Sequence, residues 1–546
     1  MQLGQVLISK GLLNEARLQL ALSHQKVTGI MIGEALVKLG FVSSNDIART
    51  LAIQHGVPFI DLSEYVISED AIRLVPKDIA ERTGFIPLRI DNGTIEIGIS
   101  DHANIHAIDT VARLTGKKPE AFLIDRHVFH ETLERAYFFL ENPIQQHISE
   151  AINEIKSSPS LPATTIANLS ENLIMEGIRR KATDVHISPE TDTINVFYRV
   201  DGVLQYGFCI PKAAQNGIIS RIKVQSMLDI SEQRLPQDGS FSMTFLNIKY
   251  EMRVSTTPTI YGENIVIRIL AGTGQLISID NLGFDRGNTL RLRTLFQKPY
   301  GIVLITGPTG SGKTTTLYAA LREVNLIERN VLTVEDPVEY KLSFVKQTSV
   351  NLKTGYDFAR AGRTFMRQDP DVMLLGEIRD EETARIAVRA SITGHLVLST
   401  LHTNDAVTSV PRLLDFNIDR FLLSSSLLAV VAQRLIRKLC IECREEYYIS
   451  EEELMQLGVK EEKGFDMVYQ AKGCDTCNNT GYAGRTVVGE IMVISEEIKE
   501  MIVEGASLGK LRNAALRNGM VPLRVSALQK VRDHVTSIQE MKRVID

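Results

Sequence analysis

The first sixty residues state one hydrophobic pattern twice. "LGQVLISKGLL" at 3–13 and "IGEALVKLGFV" at 32–42 share Gly-x-x-Leu-x-x-x-Gly at an offset of 29 residues, pairing Gly4 with Gly33, Leu7 with Leu36 and Gly11 with Gly40. The match runs on through Leu18, Leu22 and Gln25 against Ile47, Leu51 and Gln54. Apolar positions at this spacing, each run stopped by a glycine, predict two short amphipathic helices per copy. Gly11 or Gly40 closes the first helix, and Asn14 or Ser43/Ser44 caps the second. A duplicated helical hairpin packing on itself is the plainest reading.

From residue 57 the period changes. "FIPLRIDNGTIEIGISD" alternates apolar and polar residues around Asp91-Asn92-Gly93, which predicts a β-hairpin. Helical patterns follow, so 61–140 reads as a small α/β domain behind the 1–60 repeat. The stretch 141–164 holds a Ser/Pro cluster at 157–162 and reads as a linker. An amphipathic helix from Thr165 and the alternating "TINVFYRVDGVL", "SFSMTFLNIKYEMRVST" and "NIVIRIL" predict an α/β domain over 165–271. Strand–loop–helix alternation then predicts a parallel sheet in a last domain, 272–546. The apolar run "FLLSSSLLAVVAQRLI" from Phe421 carries three serines, a Gln and an Arg, and reads as a buried helix.

The strongest chemical signal lies in that last domain. In "GIVLITGPTGSGKTTTLYAAL", Gly307, Gly312, Lys313 and Thr314 satisfy G-x-x-x-x-G-K-[ST] between an apolar strand and a helix, the context of a P-loop. Gly307, Pro308, Thr309, Gly310, Ser311, Gly312, Lys313, Thr314 and Thr315 are expected to wrap ATP phosphates with backbone N–H groups and a helix N-terminus. Lys313 would reach the β/γ-phosphates and Thr314 would bind Mg²⁺. "NVLTVEDPVEY" sets Glu335 and Asp336 at one strand end, and "DPDVMLLGEIRD" sets Glu377 at another. Ligands of open α/β sheets sit at such carboxyl ends, so these acids are expected to hold the metal and position water. "TGHLVLSTLHTND" flanks a third strand with His395 and His402, the latter read as a γ-phosphate sensor. "GRTFMRQDPD" puts Arg363 and Arg367 four apart, on one face of a helix.

Composition narrows the class. With 546 residues, 44% hydrophobic and 23% charged, the chain suits a soluble protein of three or four domains. A net charge of −5 lacks the basic footprint of a nucleic-acid binder, so no direct nucleic-acid partner is expected. No leader pattern and no apolar run of roughly 18 residues is apparent, which predicts a cytosolic chain able to dock on a membrane complex. Of five cysteines, Cys440/Cys443 and Cys474/Cys477 form two CxxC pairs, with the second in the turn-rich "KGCDTCNNTGYAG". Four thiolates suit a closed tetrahedral zinc site of structural role. Cys209 reads as a core residue.

Together these residues resemble the secretion ATPases of the type IV pilus assembly and type II secretion group. "GPTGSGKTTTLYAAL" is similar to that family's Walker A, "TVEDPVEY" to its aspartate box, "RQDPDVMLLGEIRD" to its atypical Walker B and "TGHLVLSTLHTND" to its histidine box. "YRVDGVL", "RLPQDGSFS" and "RVSTTPTIYGENIVIRIL" resemble the domain that precedes the motor. The resemblance implies an α/β multidomain chain: a RecA-like P-loop motor behind a PAS-like α/β domain, a small helical repeat and an α/β region. It implies a homohexamer at the cytoplasmic face of the inner membrane, associated peripherally through an inner-membrane platform protein. ATP hydrolysis would drive pilin polymerisation or, as the alternative, type II secretion; a non-hydrolysing regulator is the third reading. By the same resemblance, Arg199 and Arg221 reach the nucleotide phosphates, Glu335 activates water and Glu377 serves the Mg²⁺ pole, the last two being interchangeable. By the same resemblance, the tetracysteine insertion (about 437–490) fits assembly and secretion ATPases rather than retraction ones.

The opening repeat resembles a module of these ATPases that binds cyclic di-GMP in some members, through Arg-Leu-Gly-x-x-Leu-x-x-x-Gly-x-Ile written twice. Here Gln2 and Met31 stand at the two arginine positions. Neither offers a planar cationic fork to phosphate or guanine. A docking module for the platform protein or another partner is therefore the favoured reading over a dinucleotide site.

Overall fold

The computed structural model describes residues 3–62, 65, 67–157, 162–271, 277–457 and 467–545. Gln2 and most of the Ser/Pro cluster at 157–162 thus lie outside the described residues. The chain divides into two compact units, one of residues 44–274 and one joining 1–43 to 275–546.

In the first unit, strands Phe85–Asp91, Thr94–Ile99 and Lys118–Leu123 form a small mixed sheet. Asn92 and Gly93 turn its hairpin at φ 41° and 85°, as a tight two-residue loop requires. A six-stranded antiparallel sheet follows, ordered Val203–Pro211, Thr193–Val200, Asp184–Pro189, Gly262–Ala271, Ile248–Thr259, Gln237–Phe245. Helices Ala163–Arg179 and Gln215–Gln225 bury Leu173, Ile218 and Ile222 in its core with Tyr198 and Ile267. The expected linker is largely a helix, Ile144–Ser157. Ile144, Ile148, Ile152 and Ile155 recur at helical spacing and join the same core, and this burial outweighs the nearby Ser/Pro signal. Cys209 is exposed, not a core residue. Its neighbour Ile210 is buried, and the two-residue alternation of a strand turns Cys209 outward.

The second unit opens with α1 (Leu3–Ser9), α2 (Glu15–Thr28) and α3 (Ile32–Lys38). Gly11 and Gly40 both adopt left-handed φ, 71° and 72°, after the two short helices. Asn14 caps α2 by accepting from the Arg17 N–H at 2.8 Å. A Cβ on Gly4 would lie 2.7 Å from Leu18 Cδ1, so α1 and α2 touch backbone to side chain.

The same unit holds a seven-stranded sheet. Its order is Val345–Ser349, Val331–Glu335, Val372–Leu375, Leu396–Leu401, Gly301–Thr306, Leu427–Leu439, Tyr482–Val493. The first six strands are parallel and the last is antiparallel. The run from Phe421 is not one helix: helix Arg420–Ser426 gives way to strand Leu427–Leu439. An apolar run buried on both faces fits either state by periodicity, and the β-branched Val430 and Val431 favour the strand. Among the described residues no helix is long and apolar enough to cross a membrane.

Candidate active site

The strand Gly301–Thr306 is buried at every residue and delivers the loop 307–312 to the N-terminus of helix Lys313–Glu323. Gly307, Gly310 and Gly312 take φ of 147°, 78° and 86°. A Cβ on Gly307 would stand 2.5 Å from the Gln433 carbonyl oxygen and 2.6 Å from Ser311 Oγ, so the tight loop tolerates only glycine there. Lys313 Nζ donates to the carbonyls of Gly307 at 2.9 Å and Pro308 at 3.1 Å. Burial lowers the Lys313 pKa; Glu377 pulls it up and Arg434 pushes it down. Both charges therefore act at the phosphate pole.

Gln433 braces this loop from the neighbouring strand. Its Oε1 accepts from Thr316 Oγ1 at 2.9 Å, and its Nε2 donates to the Ser311 carbonyl at 2.7 Å, all buried. Thr306 Oγ1 meets Thr403 Oγ1 at 2.7 Å and accepts from the Thr403 N–H at 2.8 Å, tying the segment after His402 to the P-loop strand. Arg434 donates to the Asn404 carbonyl at 2.8 Å. Sequence reasoning missed all of these. The available signal was a glutamine and an arginine inside the apolar run "LLAVVAQRLI".

The strand ends carry the expected acids. The Glu377 carboxylate pairs with Arg379 and lies 3.1 Å from His402 Nε2. Arg379 also reaches Asp336 at 3.6 Å. Glu335 is buried at 5% exposure. It accepts from the Tyr318 hydroxyl, from Thr333 Oγ1 at 2.6 Å and from Gln347 Nε2 at 3.2 Å. Burial and then Glu335 push the Tyr318 pKa up, so the phenol stays a donor. Lys313, Glu377 and His402 thus converge on one pole, and Glu335 joins them through Tyr318 on the P-loop helix.

Other expected residues are engaged elsewhere. His395 places Nδ1 2.8 Å from the Ala390 carbonyl and 3.1 Å from Thr393 Oγ1, a helix-end contact. Arg363 pairs with Glu382. Arg367 does not share its helix, which ends at Phe365; Arg367 Nη1 donates back to the Arg363 carbonyl at 3.1 Å. Asp369 at φ 49° precedes Pro370 and turns the chain before another helical turn can form. In the other unit, Arg199 lies 3.7 Å from Asp184 and donates to the Gly202 carbonyl at 3.2 Å, and Arg221 pairs with Glu171 at 2.9 Å.

The four paired cysteines come together. Cys440 follows strand Leu427–Leu439, and Cys474 caps the single 3₁₀ turn Asp475–Cys477 that ends on Cys477. Sγ separations are 3.9 Å for Cys440–Cys474, 3.8 Å for Cys443–Cys477 and 3.8 Å for Cys474–Cys477. A tetrahedron with Zn–S of about 2.3 Å has edges of about 3.8 Å, so the cage fits zinc. Burial pushes the Cys440 thiol up. At Cys477 burial is outweighed by donation from the Cys474 and Gly481 N–H groups, which brings that thiol down to about 7. Cys443 Sγ accepts from the Gly473 N–H at 3.3 Å. These donors suit thiolates, the form a metal needs.

Residues 161–543 match the family described as "Type II/IV secretion system protein", and residues 55–140 match the "MshEN domain". A protein of Myxococcus xanthus named "Type IV pilus assembly ATPase PilB" is 38% identical across 99% of this chain and 98% of its own length. A "Type II secretion system protein E" of Xanthomonas campestris is 34% identical, also across 99% and 98%. The solved structure of the Legionella pneumophila ATPase DotB covers 68% of this chain and 94% of its own, with TM-score 0.51 and 19% identity; it shares the fold.

Proposed function

The chain belongs to the type II/IV secretion system protein family, a family of ATPases, and from that premise we propose that it powers type IV pilus assembly. The observation that carries this reading is the similarity to the Myxococcus protein over nearly the full length of both chains. Secretion through a type II system is the second reading, favoured by the equally extended similarity to the Xanthomonas protein.

In this reading the γ-phosphate of ATP takes Lys313 from the Gly307 and Pro308 carbonyls, exchanging neutral partners for charged ones. Thr314 and Glu377 would hold Mg²⁺, whose charge supports the leaving phosphate. His402, oriented by Glu377, meets the γ-phosphate. Glu335 positions the attacking water, and Tyr318 fixes that carboxylate to the P-loop helix. Arg199 and Arg221 supply phosphate contacts in a homohexamer. Zinc in the cysteine cage is structural, since all four positions are filled by protein. The motor works at the cytoplasmic face of the inner membrane, on a platform protein that adds pilin. Met31 is 59% exposed and apolar, which favours docking over cyclic di-GMP binding by the repeat.

Deleting the gene in its host separates the two machines. Loss of surface pili with secretion intact is expected; accumulation of exoproteins in the periplasm with pili intact would move the assignment to type II secretion.

A further inference from the structure

Arg17 lies in the repeat, yet its contacts are with the motor. Its Nη2 donates to the carbonyls of Arg322 at 3.1 Å and Val324 at 2.7 Å, where the P-loop helix ends. The same guanidinium lies 5.7 Å from the Phe41 ring centroid. Phe41, buried at 4% exposure, stacks on Phe344 at 5.8 Å and 10°. Next to it, Ser343 Oγ donates to the Lys38 carbonyl at 3.2 Å. The repeat therefore grips two motor elements: the C-terminus of the P-loop helix, and the loop between strands Val331–Glu335 and Val345–Ser349.

The chemistry of each grip is specific. A cation at a helix C-terminus meets the negative end of the dipole and free carbonyls. Burial lowers the Arg17 pKa; Glu323 opposes this and the neighbouring Arg322 charge adds to it. Phe344 is a bulky side chain at φ 65°, a conformation that costs strain, and from it the ring meets Phe41. The other copy of the repeat lacks these groups: 29 residues beyond Arg17 stands Asp46, and 29 before Phe41 stands Leu12.

Both gripped elements meet at one carboxylate. Tyr318, on the P-loop helix, donates to Glu335 and accepts from the N–H groups of Glu339 at 3.2 Å and Tyr340 at 3.4 Å, in the loop that leads to Phe344. We propose that α1–α3 form an in-cis clamp on the motor, with Arg17 and Phe41 as positioning residues that hold the P-loop helix and the 336–344 loop so that Tyr318 presents Glu335. Whatever the repeat docks onto can then act on ATP turnover by loosening the clamp. This inference rests on ATP turnover and not on which machine is driven, so the gene-deletion outcome does not decide it.

The test uses the full chain with Arg17→Ala and, on the motor side and outside the repeat's own core, Phe344→Ala. Hydrogen exchange over 36–43 should rise in both, while strand 301–306 stays protected, which excludes global unfolding. kcat should fall about 5-fold in each, the low end of a coupling energy between sites, with KM for ATP held because the Lys313 cradle is untouched. The double variant should be no worse than the poorer single one, since both break the same clamp. Exchange over 36–43 already fast in the wild type, or faster exchange with kcat unchanged or raised, would overturn the proposal.

Discussion

The phosphate pole and the cysteine centre lie along one strand and solve opposite problems. Leu427–Leu439 passes the P-loop at Gln433 and runs out at Cys440. The P-loop is built from backbone, with left-handed glycines and a lysine resting on carbonyls that a phosphate can replace. The cysteine centre is built from side chains, four sulfurs at tetrahedral spacing with backbone donors aimed at them. One site leaves its lysine on carbonyls a ligand can displace; the other offers four sulfurs that would fill every position of a tetrahedral metal. Their difference shows how a single strand can carry both chemistry and a staple.

That contrast can be broken in graded steps. Removing zinc by chelation, or Cys440→Ser, should melt the 440–481 insertion, because metal-coupled folding of such cages is worth about 10–16 kcal/mol. Hydrogen exchange should rise across 467–485 and stay slow at 301–306; loss of protection in both would mean that the staple also supports the motor sheet. Lys313→Ala should lower ATP turnover about 10³-fold, the scale of removing a cation from a phosphoryl-transfer site, with zinc stoichiometry unchanged. Gln433→Ala leaves Thr316 Oγ1 and the Ser311 carbonyl buried without their partner, at about 1–3 kcal/mol each. ATP affinity should fall about 10-fold by calorimetry while the metal stays bound. Tyr318→Phe removes one donor from Glu335 and should lower kcat about 5-fold at constant KM.

How much of this was legible in the sequence depended on how local each device is. The P-loop and the two CxxC pairs are short segments whose residue types dictate their shape, and the repeat's glycines and Asn14 announce their own turns. The strand-end positions of Glu335, Glu377 and His402 were legible because an apolar run followed by polar residues marks where a buried strand stops. Gln433 bracing Ser311, Thr306 meeting Thr403, and Arg17 capping the P-loop helix join residues 97 to 307 positions apart, and no periodicity encodes such meetings. The run from Phe421 misled because a strand buried on both faces is as apolar as a buried helix. The 141–164 stretch misled because Ser and Pro near 160 drew attention from four isoleucines at helical spacing before them. The Arg363–Arg367 pair misled because Asp369-Pro370 ends the helix too early for both to share it.

The most direct test of the account is steady-state ATP hydrolysis by the purified full-length oligomer beside its Glu377→Gln variant. The account predicts magnesium-dependent turnover that Glu377→Gln lowers at least about 100-fold, the scale of losing one preorganised group at a reacting centre. Wild-type turnover no higher than that of the variant would contradict the motor and leave a nucleotide-binding protein that does not hydrolyse.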